Sequence, residues 1–463
     1  MYRKKIKQLS LAALIIFLLY AVYYCWISFP IATGYGAKVL CSAVFVSGRD
    51  EKDIKSIDLD FVPLTFASCE VDYKDSSASC SMLGMARRKA IYKSGAGAVL
   101  VNDLSEEKIR ARRVTRPPHI IVNTDTVAWP MGDKLPDTLP SGIDTAQLAR
   151  AMNRVFHPAK TDYTNQTRAL IVLYNGQIVA ERYAPGFTAH TRLTGWSMTK
   201  SITGALAGIL VKEQKLDIDS PAPVPEWKSA NDPRHSITTR HLLQQTSGLE
   251  FEEVYTKSSH ANRMLFMKGD AAAYAASQVL IHPPGEEFHY SSGNTNIISR
   301  IFREQLGNEA YHSFPYEQLF YKLGMYSAVL EADASGIFVG SSFCYATARD
   351  WARFGLLYLN EGKYNGVQLL PEGWVKRSVF PSDAAKRGEY GFQWWLNVGS
   401  KDDPSNRLYP GLPADMFFAD GYEGQNIFIV PSKKLVVVRL GLTRNSHWGE
   451  DEFLLSVIKG ISE

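Results

Sequence analysis

Between residues 8 and 37 the chain carries no charged side chain, and the heart of that run, LAALIIFLLYAVYYCWISF from Leu11 to Phe29, is apolar on every side. These nineteen residues, wound as a helix, reach about 28 Å, enough to cross the hydrocarbon core of a bilayer. The stretch ends in Tyr, Cys, Trp and Phe rather than in a small-x-small cleavage site, which suits an interfacial aromatic belt better than a signal peptidase. It therefore predicts an uncleaved transmembrane anchor over residues 10–29 behind a cytoplasmic tail of residues 1–9. The basic flank, Arg3, Lys4, Lys5 and Lys7, precedes the span, so residues 30–463 are expected on the extracytoplasmic, periplasmic side.

Lysine and arginine number 51 against 47 acidic residues, a net +4. Those four N-terminal cations are the whole surplus, so the body of the chain is neutral and offers no basic stripe to nucleic acid. With 463 residues, 45% hydrophobic and 21% charged, disordered, collagenous and disulfide-stapled classes are excluded, and one large or two medium domains are expected. Beyond Cys25 in the span lie Cys41, Cys69, Cys80 and Cys344. An oxidising compartment permits disulfides; Cys69 and Cys80 flank a strand-turn-strand pattern that favours a hairpin bridge, with buried free thiols as the alternative.

Residues 30–140 read as a small β-containing lead-in, in which apolar runs such as VLCSAVFV and FVPLTFA alternate with turn residues. From 141 the signals sharpen. Asp144 and Gln147 form a capping pattern ahead of TAQLARAMNRVF, and Thr347 with Asp350 does the same for ARDWARFGLLYLNE. Asn175-Gly176 joins two β-rich runs as a hairpin. After 414 the pattern returns to strands, DMFFA, GQNIFIV and LVVVRLG, followed by a last helix from about Glu450 to Ile458. Strands at both ends with a helical middle predict one sheet assembled from two chain segments and an inserted helical subdomain.

Three Ser-x-x-Lys tetrads occur. Ser105–Lys108 lies in a fully charged segment and reads as a helix cap; Ser456–Lys459 falls in the last turns of the terminal helix. Ser197-Met-Thr-Lys200 instead opens the apolar helix SITGALAGILV directly after Gly195-Trp196. Serine and lysine three apart share a helix face, a helix N-terminus favours developing negative charge, and burial makes lysine a usable neutral base. Downstream, PPGEEFHYSSGNTNIISRIF offers Tyr290 as a proton shuttle for the same pair. No G-x-S-x-G elbow and no H-E-x-x-H spacing is present, and His289 reads as structural. Trp196, Trp394 and Trp395 are candidates for the wall of an apolar pocket or for the core.

Six ordered blocks, LTGWSMTKSITGALAGILVKEQKLDIDSPAPVPEW, ITTRHLLQQTSGLEFEE, PGEEFHYSSGNTN, ARDWARFGLLYLNEGKYNG, YGFQWWL and FFADGYEGQNIFIVPSKKLVVVRLG, together resemble the serine β-lactamase-like hydrolases, and most the branch of 6-aminohexanoate-dimer hydrolases and carboxylesterases. The resemblance implies an α/β (α+β) fold of the β-lactamase/transpeptidase type over residues 141–463, an antiparallel sheet flanked by helices. It implies cleavage of a small ester or amide through an acyl-enzyme, with no metal or organic cofactor. Ser197 is then the nucleophile, Lys200 the base and Tyr290 the proton shuttle, with the backbone N–H groups of Ser197 and Tyr422 as oxyanion hole. Where the family has Lys-Thr-Gly this chain has Ala419-Asp420-Gly421, which removes a cation for a β-lactam carboxylate and argues against penicillin hydrolysis or transpeptidation. Where it has Tyr-x-Asn this chain has Tyr290-Ser-Ser292, so Ser292, or Asn294 two residues on, orients the lysine and substrate. Two other readings stand beside the hydrolase: a non-catalytic module that binds a wall component or ligand, and a cell-wall peptidase acting on D-amino-acid peptides.

Overall fold

The computed structural model describes residues 2–115, 117, 123–156, 165–444 and 447–461. The first helix, α1 (Tyr2–Phe45), does not stop where the apolar span ends. It runs unbroken through Pro30, exposed along its first half and buried in protein from Ile31 onward. VLCSAVFV, read as β-rich from its Val and Phe content, is therefore the last two turns of a helix, and FVPLTFA is a turn with a short 3₁₀ segment. Local β-propensity loses here to tertiary packing: Gly34 and Gly36 let the α1 backbone approach closely, a Cβ on Gly36 falling 2.9 Å from the Cys80 sulfur and one on Gly34 2.6 Å from the Phe266 carbonyl.

The surface it packs on is a four-stranded antiparallel sheet, β1 (Ala67–Asp72), β2 (Ser77–Met82), β3 (Met85–Lys93) and β4 (Gly97–Leu100). Cys69 and Cys80 sit directly opposite in the β1–β2 ladder and form a disulfide, while Cys25, Cys41 and Cys344 are free thiols. A buried ion pair locks helix, sheet and body together. Lys38 Nζ on α1 lies 2.6 Å from Glu331 and also donates to the Ala98 carbonyl; the same carboxylate accepts from Ser42 Oγ at 3.0 Å and from the Ala98 N–H at 2.7 Å.

The body follows the pattern read from sequence. Helix α2 (Thr145–Phe156) starts with Asp144 accepting from the Gln147 N–H at 2.8 Å. Then β5 (Asn165–Tyr174) and β6 (Gln177–Tyr183) pair through the Asn175-Gly176 turn, both turn residues at positive φ as a tight hairpin requires. Helix α3 (Thr199–Lys212) and helix α4 (Ser292–Pro315), interrupted at Gly307, build the helical middle, and α5 (Ala348–Leu359) starts on its Thr347 cap. Strands β7 (Trp395–Leu396), β8 (Phe417–Gly421), β9 (Gln425–Val430) and β10 (Leu435–Thr443) return to the sheet before α6 (Glu450–Lys459) closes the fold.

The six-stranded antiparallel order is β7-β8-β9-β10-β5-β6, one sheet from both ends of the domain. Its strands alternate between two buried faces, which is why they read as near-continuous apolar runs. Leu170, Val172, Leu435 and Val437 pack under α2 and α6, whereas Ile171, Leu173, Val436 and Val438 join the large core around α3 and α5.

Candidate active site

Ser197 sits in a single turn, Trp196–Met198, immediately before α3. Trp196 has φ +45°, a strained conformation for a bulky side chain. Its ring is fixed by neighbours: stacked on Tyr35 of α1 (centroids 6.1 Å, planes 10° apart) and edged by Tyr422 at 5.5 Å. The strained turn leaves Ser197 partly exposed while Lys200, one turn into α3, is buried. Of the three tetrads only this one brings its ends together in a buried setting. Ser105 caps its short helix, and Ser456 Oγ is taken by Gln147 Nε2 at 2.8 Å, tying α6 to α2.

Lys200 Nζ lies 3.0 Å from Ser197 Oγ, 2.9 Å from Ser292 Oγ and 3.2 Å from the Ser341 carbonyl. All three are neutral oxygens. Burial drives the lysine pKa down to about 8, against the upward pull of the Glu253 and Asp420 carboxylates. Tyr290 presents its ring 4.7 Å from the same Nζ, with Ser197 close enough to act on the ionisation of its hydroxyl. Burial, with Tyr390 and Glu253 adding, raises that phenol well above its ordinary range, so it is a proton-bearing group at neutral pH. Tyr290 is set by stacking on Trp395 (5.2 Å) and by the edge of Tyr390 (5.8 Å).

Of the two residues open for orienting the lysine, Ser292 is the one in contact. Asn294 is turned away: its side-chain oxygen accepts from Ser247 at 2.7 Å and its amide donates to Gln245 at 2.9 Å, bracing the loop that Ser291 N–H also binds. Gly421, on β8, has no side chain with which to orient the lysine; it packs against the turn that carries Ser197. A Cβ there would fall 2.2 Å from the Gly195 carbonyl, so glycine is what lets β8 close against the Ser197 turn. Ala419-Asp420-Gly421 thus occupies the edge-strand place beside Ser197. The Tyr422 N–H that follows meets no acceptor among the described residues. The turn carrying it is clamped: Gln425 Nε2 donates to the Tyr422 carbonyl at 3.1 Å, and buried Arg439 donates to the Gly424 carbonyl at 2.7 Å.

The sequence reading missed Glu253. Its carboxylate accepts from Ser292 Oγ at 2.5 Å, the Ser292 N–H at 2.8 Å and the Tyr255 hydroxyl at 2.6 Å. It stands one hydroxyl away from Lys200. The signal lay in LEFEE, but two adjacent acids in a loop carry no period that singles one out. The tryptophans separate cleanly: Trp196 and Trp395 line the site, whereas Trp394 is core, 4.5 Å from Tyr358. His289 hydrogen-bonds the Phe251 carbonyl. Among the described residues no group of three or more His, Cys, Asp or Glu is placed to hold a metal ion.

A turn-borne serine, a buried lysine one helical turn on, a tyrosine across from both and an antiparallel edge strand alongside define the architecture of serine acyl-transfer enzymes. The beta-lactamase family model matches residues 152–452, well over half the chain, and the protein belongs to that family. It is 26% identical over 324 residues to the 6-aminohexanoate-dimer hydrolase of Paenarthrobacter ureafaciens, covering 64% of this chain and 79% of that one. Its fold is similar to that of EstCE1, a hydrolase with promiscuous acyltransferase activity (TM-score 0.54, 15% identity, 68% of this chain and 98% of the other). It is similar also to a family VIII carboxylesterase (TM-score 0.52, 15% identity, 68% and 96%). The protein is a serine hydrolase of the β-lactamase-like esterase and amidohydrolase group.

Proposed function

We propose that Ser197, Lys200 and Tyr290 are the catalytic residues and that they hydrolyse an ester or amide through an acyl-enzyme. The observation that carries this reading is the position of Lys200 Nζ, 3.0 Å from Ser197 Oγ among neutral oxygens, with a pKa lowered to about 8 by burial. Neutral Lys200 takes the Ser197 proton as Oγ attacks the carbonyl carbon. The oxyanion is received by the N–H groups of Ser197 and Tyr422. Tyr290, whose phenol holds its proton, donates to the departing oxygen or nitrogen. Water then attacks the acyl-enzyme by the reverse proton route, releasing the acid and restoring Ser197. Ser292, held by Glu253, keeps Nζ aimed at the nucleophile. The relative named as a 6-aminohexanoate-dimer hydrolase supports an amide or ester of modest size.

In the same reading α1 anchors the protein in a membrane. It is long and apolar enough to cross one, and the four cations before the span favour placing the catalytic body outside the cytoplasm. The test is a fluorophosphonate probe on the full-length protein in detergent, with the adduct located by mass spectrometry. Labelling at Ser197 that vanishes in Ser197→Ala and collapses in Lys200→Ala supports the assignment. Absence of labelling in demonstrably folded protein sinks it.

A further inference from the structure

Beside the nucleophile turn is a cleft of about 130 Å³ with two unlike walls. One wall is the hydrolase body, contributing Trp196, Tyr255, Tyr422 and Phe266; the other is α1, contributing Tyr24, Ser28, Ile31, Ala32 and Tyr35. The first wall belongs to the site already described. Trp196 precedes Ser197, Tyr422 bears the free N–H, and the Tyr255 hydroxyl binds Glu253. The second wall begins inside the apolar span and ends where the helix enters protein. The cleft therefore runs from the level at which the chain would leave a bilayer to Trp196 and Tyr422, the residue before Ser197 and the residue proposed to hold its oxyanion.

A second observation points the same way. The loops that line the cleft opposite α1 display large apolar side chains to solvent. Val62, between the cleft-lining Phe61 and Pro63, is 74% exposed and Phe66, two residues beyond Leu64, is 62% exposed; Val254, beside Tyr255, is exposed too. Leu83 and Met85 are exposed at the β2–β3 turn, which Thr33 Oγ1 reaches through the Ala86 carbonyl at 2.6 Å. These exposed apolar groups lie next to residues that contact α1 between Tyr24 and Tyr35, where a membrane-seated surface would need them.

Resting on the hydrolase and anchor readings above, we propose that the substrate is a membrane-resident amphiphile, an ester or amide of a long acyl chain, which reaches Ser197 through the cleft between α1 and the body without leaving the lipid. A cavity of about 150 Å³ holds a benzene-sized apolar group, so this cleft takes the few carbons next to the carbonyl while the rest of the chain stays in the bilayer. Ser197 Oγ bonds to the acyl carbon, the bond to the polar alcohol or amine breaks, and that group leaves with a proton from Tyr290 toward water. Water then releases the fatty acid into the same membrane.

The experiment uses the full-length protein reconstituted in phosphatidylcholine vesicles and compares 4-nitrophenyl dodecanoate with 4-nitrophenyl acetate. Ala32→Phe fills the cleft from the α1 side; Phe66→Ser strips one exposed apolar group and leaves the core untouched, so it reports even where the first variant misfolds. The expected result is a dodecanoate-to-acetate ratio of kcat/KM at least tenfold lower in Ala32→Phe and severalfold lower in Phe66→Ser. Ratios equal to the parent's in folded, fluorophosphonate-reactive variants overturn the lipid route while leaving the hydrolase intact. Failure of the parent itself to react with the fluorophosphonate overturns the hydrolase reading instead, so the two failures are distinct.

Discussion

Among the described residues two lysines are buried, one on each of two helices, and their surroundings set them apart. Lys38 on α1 is 3% exposed and meets the Glu331 carboxylate at 2.6 Å. Lys200 on α3 is 1% exposed and meets two hydroxyls and a carbonyl, its nearest carboxylate held off by the Ser292 hydroxyl. The first is an ion pair that joins α1 to the body. The second has no contacting counter-charge, so burial lowers its pKa and it can give up its proton. What separates a structural from a chemical lysine is thus the charge of the atom it touches, not its depth.

Replacing each lysine with methionine breaks the comparison most directly. Lys200→Met should lower the rate of Ser197 acylation by about a thousandfold, the middle of the range for a lost general base, with an unchanged melting profile. Lys38→Met should do the reverse. Glu331 would be left buried without its counter-charge, costing about 3–5 kcal/mol, read as a lower unfolding temperature in detergent; acylation per folded molecule should hold. Lys38→Met/Glu331→Gln should recover much of that loss, because the stranded charge is gone.

A smaller effect sharpens the contrast. With Lys200 as the proposed base the active species carries it neutral, so acylation should rise with pH through an inflection near 8 and fall about tenfold per pH unit below it. The Tyr290 phenol ionises far higher and should add no descending limb in the ordinary range. Finally, Glu253→Gln removes the largest carboxylate pull on Lys200, so the inflection should move to lower pH. An inflection that stays put would show that Glu253 acts only as a brace for Ser292.

Much of this was legible along the chain wherever the determining contacts are local. Asn175-Gly176 needs only its own backbone preference, Cys69 and Cys80 only a hairpin, and Ser197 with Lys200 only the helical repeat. Tyr290 is 90 residues beyond Lys200 and became visible through the ordered blocks rather than through spacing. Glu253 stayed hidden because its work is done across the fold, on Ser292. The continuation of α1 past Phe29 was hidden for a related reason. Nothing in VLCSAVFV announces that two glycines and a buried Lys38 will hold those residues helical against a sheet.

That continuity has a mechanical consequence. Since α1 passes from its bare half to its buried half as one rod, the catalytic cleft has a fixed height and compass bearing relative to the apolar span. Each residue inserted between Leu11 and Trp26 would raise the cleft by about 1.5 Å and swing it by about 100°. The span works as a depth gauge: in the anchored state, the thickness of the host bilayer decides whether the mouth beside Ser197 opens among headgroups, among acyl chains or above both.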